Sequence, residues 1–137
     1  MDEQEKINII LNTQKVIAVV GLSPKPLRAS NSVSAYLKNQ GYRIIPVYPR
    51  EEYILGEKVY RALTDIKEKV DTVVIFRRSE EVLPVVEEAI KIKPFAIWMQ
   101  QEIINDEAAF LAEKNGILVI MDRCMYVEHA RFVRAHD

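Results

Sequence analysis

Four glycines, one cysteine and one tryptophan in 137 residues rule out several kinds of protein at once. A lone cysteine, Cys124, excludes an internal disulfide framework and suits a reducing compartment. Glycine is too sparse for the GxGxxG fingerprint of dinucleotide sites, because Gly21 alone follows the first apolar run. An excess of one charge is also missing. Nineteen basic residues stand against twenty acidic ones, a formal net charge of −1, so no overall field draws the chain to nucleic acid or to an anionic membrane. Any basic patch must therefore be local. No apolar run approaches the roughly 20 residues a membrane span needs. The opening MDEQEKINIILN has neither the basic start nor the apolar core of a signal peptide. The expectation is a cytoplasmic globular protein of one domain, residues 1–137, with no nucleic-acid or membrane partner.

What is present is a regular alternation. Five apolar runs read as buried strands: Val16–Val20, Tyr42–Tyr48, Thr72–Phe76, Phe95–Met99 and Ile117–Met121. Between them lie helical segments. Asp2 to Asn12 carries Ile7, Ile10 and Leu11 on one stripe, suited to covering an edge or end of the sheet or, alternatively, a dimer contact. Asn31 to Gln40 presents Val33, Tyr36 and Leu37 on one face. Ser79 reads as an N-cap for a helix with Val82, Val85, Val86, Ala89 and Ile90 inward. Asn105-Asp106 opens a helix with Ala109, Phe110 and Leu111 on its face, and a last helix spans residues 124–134. Arg50 to Val70 is the least regular stretch, with Thr64-Asp65 placed to cap a single turn. Pro46 cannot donate to a ladder, so pairing is expected to weaken at the end of the second strand. The pattern predicts a Rossmann-like α/β fold, a five-stranded parallel sheet with helices on both faces. The preferred strand order is 3-2-1-4-5, with 2-1-3-4-5 as the alternative; both gather the C-terminal ends of strands one, two and three.

Three loops at those strand ends carry the chemistry. The first runs Gly21-Leu22-Ser23-Pro24-Lys25-Pro26-Leu27-Arg28, with Ser30 and Asn31 at the following helix start. Free amides and the positive end of the helix dipole favour an anion there, and Lys25 and Arg28 add formal charge. The second, Val47-Tyr48-Pro49-Arg50, has an arginine where a dinucleotide site would carry an acid for the ribose hydroxyls, which favours a ligand with extra ribose phosphate. The third is Phe76-Arg77-Arg78, where alternation lets at most one arginine face the ligand directly. Met99-Gln100, after strand four, would line the far side of the same crevice.

These runs together, VVGLSPKPLRASNSVSAYLKNQGYRIIPVYP, ILGEKVYRALTDI, VDTVVIFRR, AIWMQ and the closing MDRCM, resemble the small CoA-binding proteins of the succinyl-CoA synthetase alpha-subunit N-terminal type. The likeness covers about Lys15 to Phe132. It implies a Rossmann-like fold that holds coenzyme A by its ADP part. By family pattern Gly21, Ser23 and Arg28 would take phosphates with the helix start, and Val47, Tyr48 and Pro49 would shape the adenosine pocket. Phe76, Arg77, Arg78 and Val82 would wall its other side, with Met99 and Gln100 near the pantetheine path; Lys25 and Arg50 are carried over on charge alone.

The phosphorylated histidine of that synthetase belongs to a second domain with no counterpart in this sequence. His129 and His136 sit in the C-terminal segment, outside any glycine-rich strand and loop. Cys124, beside Arg123 near a helix start, is either a small packing residue or a thiolate able to form a mixed disulfide with a thiol ligand. No nucleophile–base pair or metal-ligand cluster stands out. The expectation is a module that binds coenzyme A or an acyl-CoA without catalysis. The alternatives are an NADP- or other nucleotide-dependent enzyme, or the nucleotide-binding subunit of a separate acyl-CoA ligase; a homodimer or such a ligase partner is left open.

Overall fold

In the computed structural model, which describes residues 1–136, five parallel strands form the sheet: β1 (Val16–Val20), β2 (Arg43–Val47), β5 (Thr72–Ile75), β6 (Ala96–Met99) and β7 (Leu118–Ile120). A two-stranded hairpin, β3 (Tyr53–Ile54) and β4 (Glu57–Lys58), stands apart from it. The helices are α1 (Glu3–Thr13), α2 (Ala29–Asn39), α3 (Val82–Lys91), α4 (Asp106–Lys114) and α5 (Met125–Ala135). Alternate strand residues divide between two cores. Ile17, Val19, Ile44, Val74, Trp98 and Ile120 pack under α1, α2 and α5. Ala18, Val20, Ile45, Val73, Ile97 and Met99 pack under α3, α4 and the Leu63–Val70 segment. Both faces are covered, which is why the strands read as unbroken apolar runs.

The fold class is the expected one, a Rossmann-like sheet with helices on both faces. The preferred strand order needs correction. The sheet runs β2-β1-β5-β6-β7, so the third of its five strands pairs with β1 and not beyond β2. Handedness accounts for this. Helix α2 carries the chain from β1 to β2 over one face, and every later crossover returns on the opposite face; right-handed connections on opposite faces must step in opposite directions. The reversal therefore falls between β1 and β5, the place where such sheets open a crevice at their C-terminal edge.

Pairing does not weaken at Pro46. Arg43 N–H donates to Lys15 O and Gly21 N–H to Val47 O, so the odd-numbered residues of β2 address β1. Pro46 faces the outer edge, where its carbonyl accepts from Tyr60 N–H at 2.9 Å and no donor is needed from it. The irregular stretch after β2 contains the hairpin, turned at Leu55 and Gly56 with φ of 54° and 75°, the signature of a tight primed turn. Thr64-Asp65 lies inside a single 3₁₀ turn, Leu63–Asp65, instead of capping one. Ser79 likewise begins a 3₁₀ turn, Ser79–Glu81, and α3 starts only at Val82. Its hydroxyl accepts from Ile104 N–H and its carbonyl from the Asn105 side chain. In α4 the inward residues are Ala108, Ala109 and Ala112, while Phe110 is 69% exposed. Three consecutive residues span about 200° of a helix and cannot share its buried face. Helix α1 lies against α5 and β7, an edge strand, as its stripe implied.

Candidate functional site

The reversal point holds a cleft of about 930 Å³. Gly21 is at its floor, in left-handed backbone with φ 87°, where a β-carbon would lie 2.3 Å from the Phe76 carbonyl oxygen. No other residue lets the loops after β1 and β5 pass this closely. The loop beyond Gly21 is tied to the start of α2 by two hydrogen bonds and braced by a third within itself. Ser23 N–H donates to Ser30 Oγ at 3.0 Å, and Asn31 Nδ2 donates to the Ser23 carbonyl at 2.9 Å. Lys25 N–H donates back to Ser23 Oγ at 3.1 Å. Leu22 is the apolar anchor, fully buried among the residues beneath α2.

These ties leave the helix start open to the cleft. Arg28 occupies the N-cap position without a side-chain cap, and the first turn of α2 contains no acid. Among the described residues the backbone N–H groups of Ala29 and Ser30 have no acceptor, since the first capped amides are those of Asn31 and Ser32 on Arg28 O. Uncapped amides at the positive end of a helix dipole make an anion site.

Around this start the cleft collects Lys25, Arg28, Arg50, Arg77 and Arg78 against two acids, Glu80 and Glu102, a basic surplus in a chain of net charge −1. Among the described residues no carboxylate lies within 4 Å of Lys25 or Arg28. Arg77 and Arg78 lean on Glu81 at 3.5 and 3.6 Å. Exposed pairs of this kind are worth about 0–1 kcal/mol, so they exchange readily for a phosphate. Tyr48 and Pro49 form the wall on the β2 side, with the Arg50 guanidinium 5.4 Å from the Tyr48 ring centre. Phe76, half-buried, faces the same space from β5.

Eleven residues expected from the sequence thus meet in one cleft: Gly21, Ser23, Lys25, Arg28, Ser30, Tyr48, Pro49, Arg50, Phe76, Arg77 and Arg78. Six do not line it. Leu22, Val47, Val82 and Met99 are buried in the two cores, and Asn31 serves the loop. Gln100 is buried with its side-chain oxygen accepting from Met125 N–H at 3.3 Å, so it fixes the start of α5. Cys124 is the half-buried N-cap residue of that helix and does not line the cleft. Sequence reasoning missed Ala29, Ser79, Glu80, Glu102 and Ile103 in the lining. It also missed Arg61, whose guanidinium donates to the carbonyls of Tyr48 and Arg50 at 3.1 Å each and so holds the β2 loop. Ser79 and Glu80 were visible as a helix start; Arg61 and Glu102 carried no signal, because contacts across loops leave no local pattern.

The family model for the CoA binding domain matches residues 15–130. The chain belongs to the CoA-binding domain family. Within it the chain is similar to the uncharacterized protein YneT of Bacillus subtilis, 42% identical over 125 residues, which span 91% of this chain and 93% of that protein. Its structure is similar to the solved structure of a hypothetical protein from Pyrococcus horikoshii, with a TM-score of 0.92 and 39% identity over 96% of this chain and 93% of the other. A shorter likeness, 34% identity over 74 residues, reaches the ADP-forming acetate–CoA ligase I of Archaeoglobus fulgidus and spans 54% of this chain but only 11% of that enzyme. No helix is long and apolar enough to cross a membrane among the described residues. The same residues contain no group of histidine, cysteine and acidic side chains able to hold a metal ion.

Proposed function

We propose that the protein binds coenzyme A or an acyl-CoA through the ADP moiety, as a stand-alone binding or regulatory module. The observation that carries this reading is the uncapped start of α2, with Ala29 and Ser30 amides free, beneath five basic side chains at the floor that Gly21 opens. Such a site fits a ligand with several phosphates. In this reading the Ala29 and Ser30 amides, Ser23 and Arg28 take the pyrophosphate, and Tyr48, Pro49 and Phe76 hold the adenosine. Lys25, Arg50, Arg77 and Arg78 compete for the ribose phosphate. Bound CoA would bring a thiol or thioester to the cleft. This chain's residues would supply charge, shape and orientation for it, and neither histidine nor Cys124 lines the space.

Titration calorimetry of ligand-stripped protein against CoA, 3′-dephospho-CoA, NADP and NAD tests the reading. CoA should bind most tightly and lose affinity without its 3′-phosphate. Preference for NADP would move the protein to the nucleotide-dependent enzymes. A second reading draws on the partial likeness to the acetate–CoA ligase: the chain as nucleotide-binding subunit of a separate ligase. Recovery of a ligase chain with the tagged protein would favour it.

A further inference from the structure

The charges around the cleft are not evenly spread. All five basic side chains come from the loops after β1, β2 and β5, whereas the loop after β6 contributes Glu102 and Ile103. The other acid, Glu80, has Arg78 Nε at 3.9 Å. Glu102 has no cation within 4 Å among the described residues. It stands on left-handed backbone, φ 70°, and its N–H donates to Asp122 Oδ1 at 2.6 Å. Asp122 is itself at φ 60°, and its own N–H donates to the Ile103 carbonyl at 3.2 Å. The loop is thus clamped from both sides by Asp122, which does not itself line the cleft. The cleft is cationic over β2, β1 and β5 and anionic over β6.

We propose that Glu102 makes this cleft selective against acyl-CoA thioesters whose acyl group ends in a carboxylate. The proposal rests on the CoA reading above. With the pyrophosphate on the start of α2 beside β1, the loop after β6 lies two strand spacings away, about 10 Å. A pantetheine arm is long enough to cross that distance and deliver the thioester beside Glu102. Amide N–H groups and short neutral acyl groups meet a carboxylate there without repulsion. A carboxylated acyl group meets like charge, and selectivity of this kind comes from a repulsive element.

The test compares butyryl-CoA with succinyl-CoA, which have the same chain length and differ in the terminal carboxylate, by calorimetry at low salt. Butyryl-CoA should bind about fivefold more tightly, the penalty of one like-charge contact at roughly 4 Å in water. Glu102→Gln should bring the ratio to near one while leaving both ligands bound. Glu102→Gly, which suits the left-handed backbone, should do the same and excludes a folding artefact. Equal affinities in the unaltered protein, or a ratio unmoved by both variants, would overturn the selectivity and leave the CoA reading standing. Failure of free CoA and both thioesters to bind would overturn the CoA reading itself.

Discussion

Gly21 and the arginines of the cleft show how much depends on single side chains. Gly21→Ala would put a methyl group against the Phe76 carbonyl in backbone that disfavours any β-carbon. The expected cost is about 1–3 kcal/mol of stability, read from urea denaturation, with CoA binding lost because the β1 and β5 loops part. Arg28→Ala and Arg77→Ala should each weaken CoA binding by roughly 1–3 kcal/mol, as for a lost charged hydrogen bond, with stability unchanged because both side chains are exposed. Affinity unchanged in both variants would remove them from the site. These residues were legible in the sequence because a strand, a glycine and a basic loop occur in succession. Their partners across the cleft were not. Arg61 acts on carbonyls more than ten residues away in sequence, and nothing near it marks that reach.

The secondary-structure elements were readable where burial sets a period, and misread where polar residues had two uses. Ser79 has the chemistry of an N-cap, but it spends both hydroxyl and carbonyl on the loop before α4. Asn105 is the residue that links the two. Its Oδ1 caps α4 by accepting from Ala108 N–H at 2.9 Å, while its Nδ2 donates to Ser79 O at 2.9 Å. Asn105→Ala should cost about 1 kcal/mol through the lost cap, and Asn105→Asp should restore that stability without restoring the tie to Ser79. Thermal denaturation of the pair separates the two contributions; equal losses in both variants would contradict the cap. Helix α5 carries a pH dependence. His129 is buried, with Nδ1 2.8 Å from the Tyr36 hydroxyl and edge contacts to the Tyr36 and Tyr42 rings. Burial pushes its pKa below the ordinary histidine value. The unfolded chain then binds the proton more readily than the folded one, so this contribution is complete above about pH 6.5 and is lost as pH falls below it. Urea midpoints should drop between pH 7.5 and 5.5, and less so in His129→Gln; identical drops would remove His129 as the cause.

At the scale of the whole molecule, the alternation of strand and helix specified the class of fold but not which strands are neighbours. An apolar run says that a strand is buried on both faces, and every inner strand says the same. The order follows from which face each crossover takes, and the β2-to-β5 connection, built from a hairpin and a 3₁₀ turn, hid its face from any helical period. The site is the same under either order, because both bring the ends of β1, β2 and β5 together. The same geometry explains how a chain of net charge −1 concentrates five basic side chains around one helix start. The most direct measurement is a nitrogen-15 NMR titration of the protein with CoA. The account predicts that the amides of Gly21, Ser23, Ala29 and Ser30 shift first and furthest, with the Arg77-Arg78 segment following. Shifts confined to another surface, with Ala29 and Ser30 unmoved, would contradict it.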